Sequence, residues 1–210
     1  EAKSAAMTAS RKLNQRLHGA NIAAEETAYT DTLTGVKNRR AMEQVLERLH
    51  AWNTPYAMMN LDLELFKDVN DSYGHAAGDH VLQMAARILL DETRENDVVI
   101  RQGGDEFVIL LPETRDPQTL DKIAGRIIAR ISQPIPFQEH VCRISASAGS
   151  AVFDEHSGDR QEDFLERADA ALYASKRAGR GRHTLFTPDL ARTKSEGSDE
   201  RELMVGRVAQ

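Results

Sequence analysis

Val98-Val99-Ile100-Arg101-Gln102-Gly103-Gly104-Asp105-Glu106-Phe107-Val108-Ile109-Leu110-Leu111 is the stretch on which the fold turns. Two apolar runs flank Gln102-Gly103-Gly104-Asp105, which is turn chemistry, so the segment reads as a β-hairpin. Its tip carries adjacent acids, Asp105 and Glu106, which repel each other unless a counter-charge stands nearby. Gly103 and Gly104 let the backbone approach a ligand closely.

Upstream, Pro55 opens the run Tyr56–Leu61, in which only Asn60 is polar, so it reads as a strand buried on both faces and ending at Asp62. A polar loop, Glu64 to Gly74, leads into a helix over His75–Glu92 with Val81, Leu82, Ala85, Ile88 and Leu89 inward. Before that strand, Asp31-Thr-Leu-Thr-Gly-Val-Lys-Asn-Arg-Arg40 is a turn into a helix, with Asn38 as N-cap and Met42, Val45, Leu46 and Leu49 on one face.

Downstream, Asp116-Pro117 starts a helix that continues through Leu120, Ile123, Ile127 and Ile131. Residues 135–138 and 141–150 are expected to form a second hairpin, with Cys142, Ile144, Ala146 and Ala148 on one face. Residues 161–178 are helical, Gly179 ends them, and His183–Thr187 is a last short strand. The order α-β-α-β-β-α-β-β-α-β implies an α+β fold: a central five-stranded mixed, mainly antiparallel sheet surrounded by helices.

The chain divides into three parts. Residues 1–30 read as a linker helix whose thin stripe, Leu13, Leu17, Ala20, Ala24 and Ala28, suits either a pairing seam or weak docking on the domain. Residues 31–187 form the main domain, and 188–210 are a polar tail. The chain starts at Glu1 rather than Met and is read as a piece of a longer protein.

Composition narrows the function. The 210 residues carry 27 Lys plus Arg against 33 Asp plus Glu, a net charge of −6. That balance excludes general binding to a nucleic-acid backbone, which needs a basic footprint. It does not exclude a small anion held by a few cations and metal ions. No apolar run reaches the roughly 20 residues of a membrane helix. The single cysteine, Cys142, cannot close an internal disulfide and is expected to be a buried thiol.

Three segments carry chemistry. Asp62 at a strand end, with Asp68, Asp71 and Asp79 nearby in sequence, suits a hard cation such as Mg2+, or an ordinary polar loop with helix-capping acids. If the Asp105-Glu106 hairpin neighbours that strand, the three carboxylates suit two-metal phosphoryl or nucleotidyl transfer. Lys176 and Arg180, four apart at a helix end, can clamp terminal phosphates, or sit there as cations favoured at a helix C-terminus.

Together these segments resemble the GGDEF family, the diguanylate cyclases, across about residues 31–187. The matching motifs are Asp31 to Arg40, Asp62 to Asp79, the signature Gly103-Gly104-Asp105-Glu106-Phe107, and Ala168-Asp169 to Arg180. The resemblance implies condensation of two GTP into cyclic di-GMP with release of two pyrophosphates, across a homodimer in which each subunit presents one GTP. It implies two Mg2+ or Mn2+ ions per GTP, held by Asp62, Asp105 and the carbonyl of Leu63. Glu106 would assist the metal or deprotonate the 3′-hydroxyl. Asn70 and Asp79 would read guanine, Phe66 and Lys67 would line the phosphates, and Gly103 and Gly104 would leave space between the half-sites. Lys176 and Arg180 would grip the outer phosphates. Arg94-Glu-Asn-Asp97 resembles the family's inhibitory product site, with Arg126 as a weaker second contact. The resemblance further implies a cytoplasmic domain of a larger membrane-attached or multidomain bacterial protein. The alternative is a catalytically silent cyclic di-GMP receptor. A cyclase with a mononucleotide or mixed-purine product is a third reading, disfavoured by Asn70 and Asp79. The chain departs from the family pattern at Glu64, often Asp, at Leu65, often His or an aromatic, and at Gln102, commonly a bulky apolar residue.

Overall fold

The computed structural model describes residues 28–153 and 161–190. The linker-helix reading, apart from residues 28–30, and the tail beyond residue 190 lie outside the described residues. The elements run β1 (Lys37–Asn38), α1 (Arg39–Ala51), β2 (Tyr56–Glu64), α2 (Phe66–Tyr73), α3 (His75–Glu92), β3 (Val98–Gly103), β4 (Glu106–Pro112), α4 (Pro117–Ile131), β5 (Ile135–Phe137), β6 (His140–Cys142), β7 (Ser145–Phe153), α5 (Gln161–Arg177) and β8 (His183–Leu185).

The expected α+β fold is present, with a mixed sheet between helices. The sheet has six strands rather than five, in the order β1-β3-β4-β2-β7-β8. Its four inner strands pair antiparallel, while β1 runs parallel to β3 and β8 parallel to β7. The extra strand is β1, only two residues at the sheet edge, which no periodicity could reveal. Asn38 closes it and caps α1, its side-chain oxygen accepting from the Ala41 amide at 3.1 Å.

The second expected hairpin is corrected. β5 and β6 form a separate two-stranded ribbon. The chain then leaves it at Arg143-Ile144, and β7 pairs with β2 along its whole length, from Glu64↔Ser145 to Tyr56↔Phe153. Alternation ends there too, because Ser147 and Ser150 are as buried as Ala146 and Ala148. A strand inside a sheet covered on both faces has no wet side to mark.

Strand β2 lies at the centre, and its side chains divide between two cores. Ala57, Met59, Leu61 and Leu63 meet α3 and α4 through Val81, Leu82, Ala85, Ile123 and Ile127. Tyr56 and Met58 meet α1 and α5 through Leu46, Phe164 and Ala168. Helix α5 runs unusually close over β7. A Cβ on Gly149 would stand 1.9 Å from the Leu172 backbone nitrogen, so only glycine permits this approach. The approach sets the height at which the end of α5 passes the end of β2. Cys142 is fully buried, as expected, and burial pushes its thiol above the ordinary range.

Candidate functional site

The hairpin and the Asp62 strand are neighbours. In the β2–β4 register Asp62 stands opposite Glu106, and the Leu63 amide donates to the Asp105 carbonyl at 3.2 Å. The three carboxylates therefore gather at one end of the sheet. Two hollows open there. Asp62, Leu63 and Asp105 line a cleft of about 640 Å³ with Phe66, Lys67 and Arg180. Glu106 faces a neighbouring hollow of about 340 Å³ beneath α5, with Lys176 and Tyr173.

Two cations from the end of α5 reach into this cluster. Lys176 Nζ lies 2.7 Å from Asp62 Oδ2, and Arg180 Nε lies 3.0 Å from Glu64 Oε2. Lys176 comes from the last turn of α5, and Arg180 from the turn that follows it. Helix α5 ends in a Schellman-type bond from the Arg180 amide to the Ser175 carbonyl at 3.1 Å. Arg180 itself has φ +61°, a left-handed conformation that non-glycine residues rarely adopt.

Electrostatics identify what the cluster lacks. Burial raises the Asp105 carboxyl above its ordinary range, and the negative charges of Asp62 and Glu64 raise it further, against the pull of Lys176. Among the described residues no three His, Cys, Asp or Glu side chains are drawn together at metal-holding distance. Like charges spread apart and take cation partners instead. The residues nonetheless fit a hard cation: all are oxygen donors, and the Lys176 ammonium already stands against Asp62 as a positive charge would.

The hairpin is held from behind by Arg101, which sequence reasoning missed. Arg101 donates to the Gly104 carbonyl from Nε at 3.0 Å and from Nη2 at 2.7 Å. Its Nη1 pairs with Asp31 at 3.2 Å. Burial pushes the Asp31 carboxyl up, but bonds from Thr34 and Arg101 outweigh that and leave it below its ordinary range. The signal was present: a tip with two acids needs a counter-charge, and Arg101 is the nearest cation in sequence. Gly104, at φ +52°, provides the turn that exposes its carbonyl to Arg101.

The expected polar loop 64–74 is corrected to the helix α2, entered through Leu65 at φ +66° without a side-chain cap. Phe66 and Lys67 open it, Phe66 resting on the core and Lys67 exposed. Asn70 sits one turn later, against the start of α3. Gly78 makes room for it, since a Cβ there would stand 2.1 Å from Asn70 Oδ1. Asp79 follows on α3 and is exposed, so the two residues expected to read one base sit at the same helical junction.

Arg94 and Asp97 form a compact turn between α3 and β3. Asp97 Oδ2 accepts from the Arg94 amide at 2.8 Å, and the Asp97 amide donates to the Arg94 carbonyl at 3.0 Å. Burial raises the Asp97 carboxyl. Arg126 instead binds Glu92 Oε2 at 2.7 Å, and Arg130 binds Glu92 Oε1 at 2.8 Å. These bonds hold the Glu92 carboxyl below its ordinary range.

A family model described as "Diguanylate cyclase, GGDEF domain" matches residues 28–182. The chain is 37% identical over 195 residues to the probable diguanylate cyclase DgcE of Escherichia coli K12, covering 90% of this chain and 17% of that protein. It is 36% identical over 165 residues to the cyclic di-GMP phosphodiesterase PdeR of the same organism, covering 78% of this chain and 25% of that protein. The chain thus spans a quarter or less of these curated relatives. The coiled coil and GGDEF domain of DgcB from Caulobacter crescentus, solved with c-di-GMP, superimposes with a TM-score of 0.80 at 28% identity, over 88% of this chain and all of that one. With its signature hairpin set against the Asp62 strand, the chain belongs to the GGDEF diguanylate cyclase domain family.

Proposed function

We propose that this chain is a working diguanylate cyclase unit, with residues 31–187 as the catalytic domain. It joins two GTP into cyclic di-GMP and releases two pyrophosphates. The observation that carries the reading is the Asp62–Lys176 pair beside Asp105. It combines a carboxylate suited to a metal with a cation suited to phosphate, and each now partners the other.

Asp62 and Asp105, with the Leu63 carbonyl, would hold divalent cations, with Glu106 as neighbour. Bound Mg2+ or Mn2+ would polarise the α-phosphate and neutralise the triphosphate. Lys176, now paired with Asp62, and Arg180 would grip the outer phosphates. Asn70 and Asp79 present an amide and a carboxylate to the guanine edge, whose N1–H and N2–H groups are donors. Phe66 and Lys67 line the path between base and phosphates. Gly103 and Gly104 carry no side chain that would obstruct a second nucleotide, which a second copy of the chain presents. Glu106, on the side facing Lys176, is placed to accept the 3′-hydroxyl proton or to steady the metal. The product would bind Arg94 and Asp97, slowing the reaction.

Incubation with GTP and Mg2+, followed by mass identification of the product, tests this reading. A cyclic dinucleotide of guanosine monophosphate units is expected. Binding of cyclic di-GMP without any turnover of GTP would assign the chain as a receptor instead. ATP that competes equally with GTP would overturn the guanine-reading roles of Asn70 and Asp79. A cytoplasmic domain of a larger membrane-attached or multidomain parent protein is part of the same reading, in keeping with the length of its relatives.

A further inference from the structure

We propose that Glu64 is a positioning residue that sets the Arg180 guanidinium for a polyphosphate. This rests on the functional reading above. Glu64 departs from the usual family residue, and sequence reasoning gave it no task. Its side chain is 13% exposed at the end of β2, and both of its oxygens are engaged. Oε1 accepts from Ser147 Oγ at 2.6 Å, and Ser147 is fully buried on β7. Oε2 forms an ion pair with Arg180, whose nearest atom, Nε, stands 3.0 Å away. A carboxylate held at both oxygens cannot follow a mobile partner, so the partner is held by it.

The edge of Arg180 that Glu64 holds is the informative detail. Guanidinium presents Nε on one side and its terminal amino groups beyond. Nε is the guanidinium atom nearest Glu64, and the two terminal groups have no hydrogen-bond partner among the described residues. Arg180 lines the same cleft as Asp62, Asp105 and Lys67. The Arg180 backbone is fixed as well, by its amide bond to Ser175 and its left-handed φ. Lys176 differs: its single nitrogen already pairs with Asp62, so it must exchange partners to reach a phosphate. Arg180 need not release Glu64, because its fork can serve both.

The simpler alternative treats Glu64 as one more negative charge that repels phosphate. The two readings predict opposite signs. If Glu64 only repels, Glu64→Gln tightens anion binding in every background. If Glu64 positions Arg180, Glu64→Gln weakens binding in the wild-type background and tightens it once Arg180 is gone.

The experiment measures equilibrium binding of inorganic tripolyphosphate and of GTP, both with Mg2+, to the full chain and to Glu64→Gln, Arg180→Ala and the double variant. Glu64→Gln is isosteric, and a thermal melt checks that it folds. About tenfold weaker binding of both probes to Glu64→Gln is expected. In the Arg180→Ala background the same change should instead tighten binding about two- to threefold. Unchanged or tighter binding to the single variant overturns the proposal, even where GTP binds the wild type and the cyclase reading stands. Tripolyphosphate binding that depends on Glu64, without added affinity from the guanosine, supports the proposal and overturns the guanine reading alone. A chain that binds neither probe overturns both.

Discussion

The two ends of β2 are built on opposite principles. At its start Tyr56 is fully buried, stacked on Phe153 and edge-on to Phe164, each at 5.1 Å, with its hydroxyl 2.9 Å from His50 Nε2. Packing among aromatic rings dominates there. At the other end Asp62, Glu64, Asp105 and Glu106 lie at neighbouring positions, and the cations that steady two of them come from the last turn of α5, Lys176, and from the turn after it, Arg180. One end holds the fold together. The other holds charges that only a ligand with metal ions can fully satisfy. If that contrast is correct, changes at the two ends should separate stability from activity.

The largest separation is expected from Asp105→Asn. Removing this carboxylate should lower dinucleotide formation by roughly a thousandfold. The melting temperature should hold or rise, because the fold disfavours the charged form of Asp105. A clear fall in melting temperature would show that the acids stabilise the fold, and the contrast would collapse. The counterpart is Tyr56→Ala, which should cost about 3–5 kcal/mol by opening a cavity among Phe153, Phe164 and His50. Denaturant titration reads this loss. The fraction that remains folded should bind GTP as the wild type does.

Smaller effects probe the rim of the charged end. Gly78→Ala places a methyl group where Asn70 Oδ1 now lies, and a side chain can move aside while a helix cannot. GTP affinity should fall about tenfold, with little change in stability, since one polar contact to the base is lost. Equal loss of inorganic tripolyphosphate binding would sink the assignment of Asn70 to the base. Arg94→Ala, away from the cluster, should raise the cyclic di-GMP concentration for half-inhibition about tenfold and leave initial turnover intact. Unrelieved inhibition would remove Arg94 from the product site.

The contrast also explains what could be read in advance. The apolar end was legible because a run such as Tyr56–Leu61 states its burial directly. The charged residues were legible as motifs, through the order and spacing of Asp62, Asp105, Lys176 and Arg180. Their partners were not. Arg101 reaches Asp31 across 70 positions of chain, and Ser147 reaches Glu64 across 83. Such pairings follow from strand order, which neither pattern nor propensity reveals. Helix α2 was hidden for a local reason: it has eight residues, no side-chain N-cap, and Val69 as its one buried residue. Its polar surface looks like a loop because most of it faces solvent.

The smallest effect lies at β8, the edge strand beside β7. His183 is almost enclosed, with Nε2 2.8 Å from Ser150 Oγ on β7 and Nδ1 2.5 Å from Asp121 Oδ1 on α4. Burial lowers its pKa, and the pull of Asp121 offsets this only in part. The unfolded chain therefore takes up the proton first as pH falls. Stability contributed by neutral His183 is complete above the ordinary imidazole value of about 6.5. It declines as pH drops through that value and levels off below the lower folded pKa. Thermal melts between about pH 7.5 and 5 should show this slope in the wild type. His183→Asn should flatten it without altering GTP turnover, because His183 stands on the sheet beyond the cleft rather than in it. A slope that survives the substitution would place the titrating group elsewhere and detach β8 from the stabilising end of the molecule.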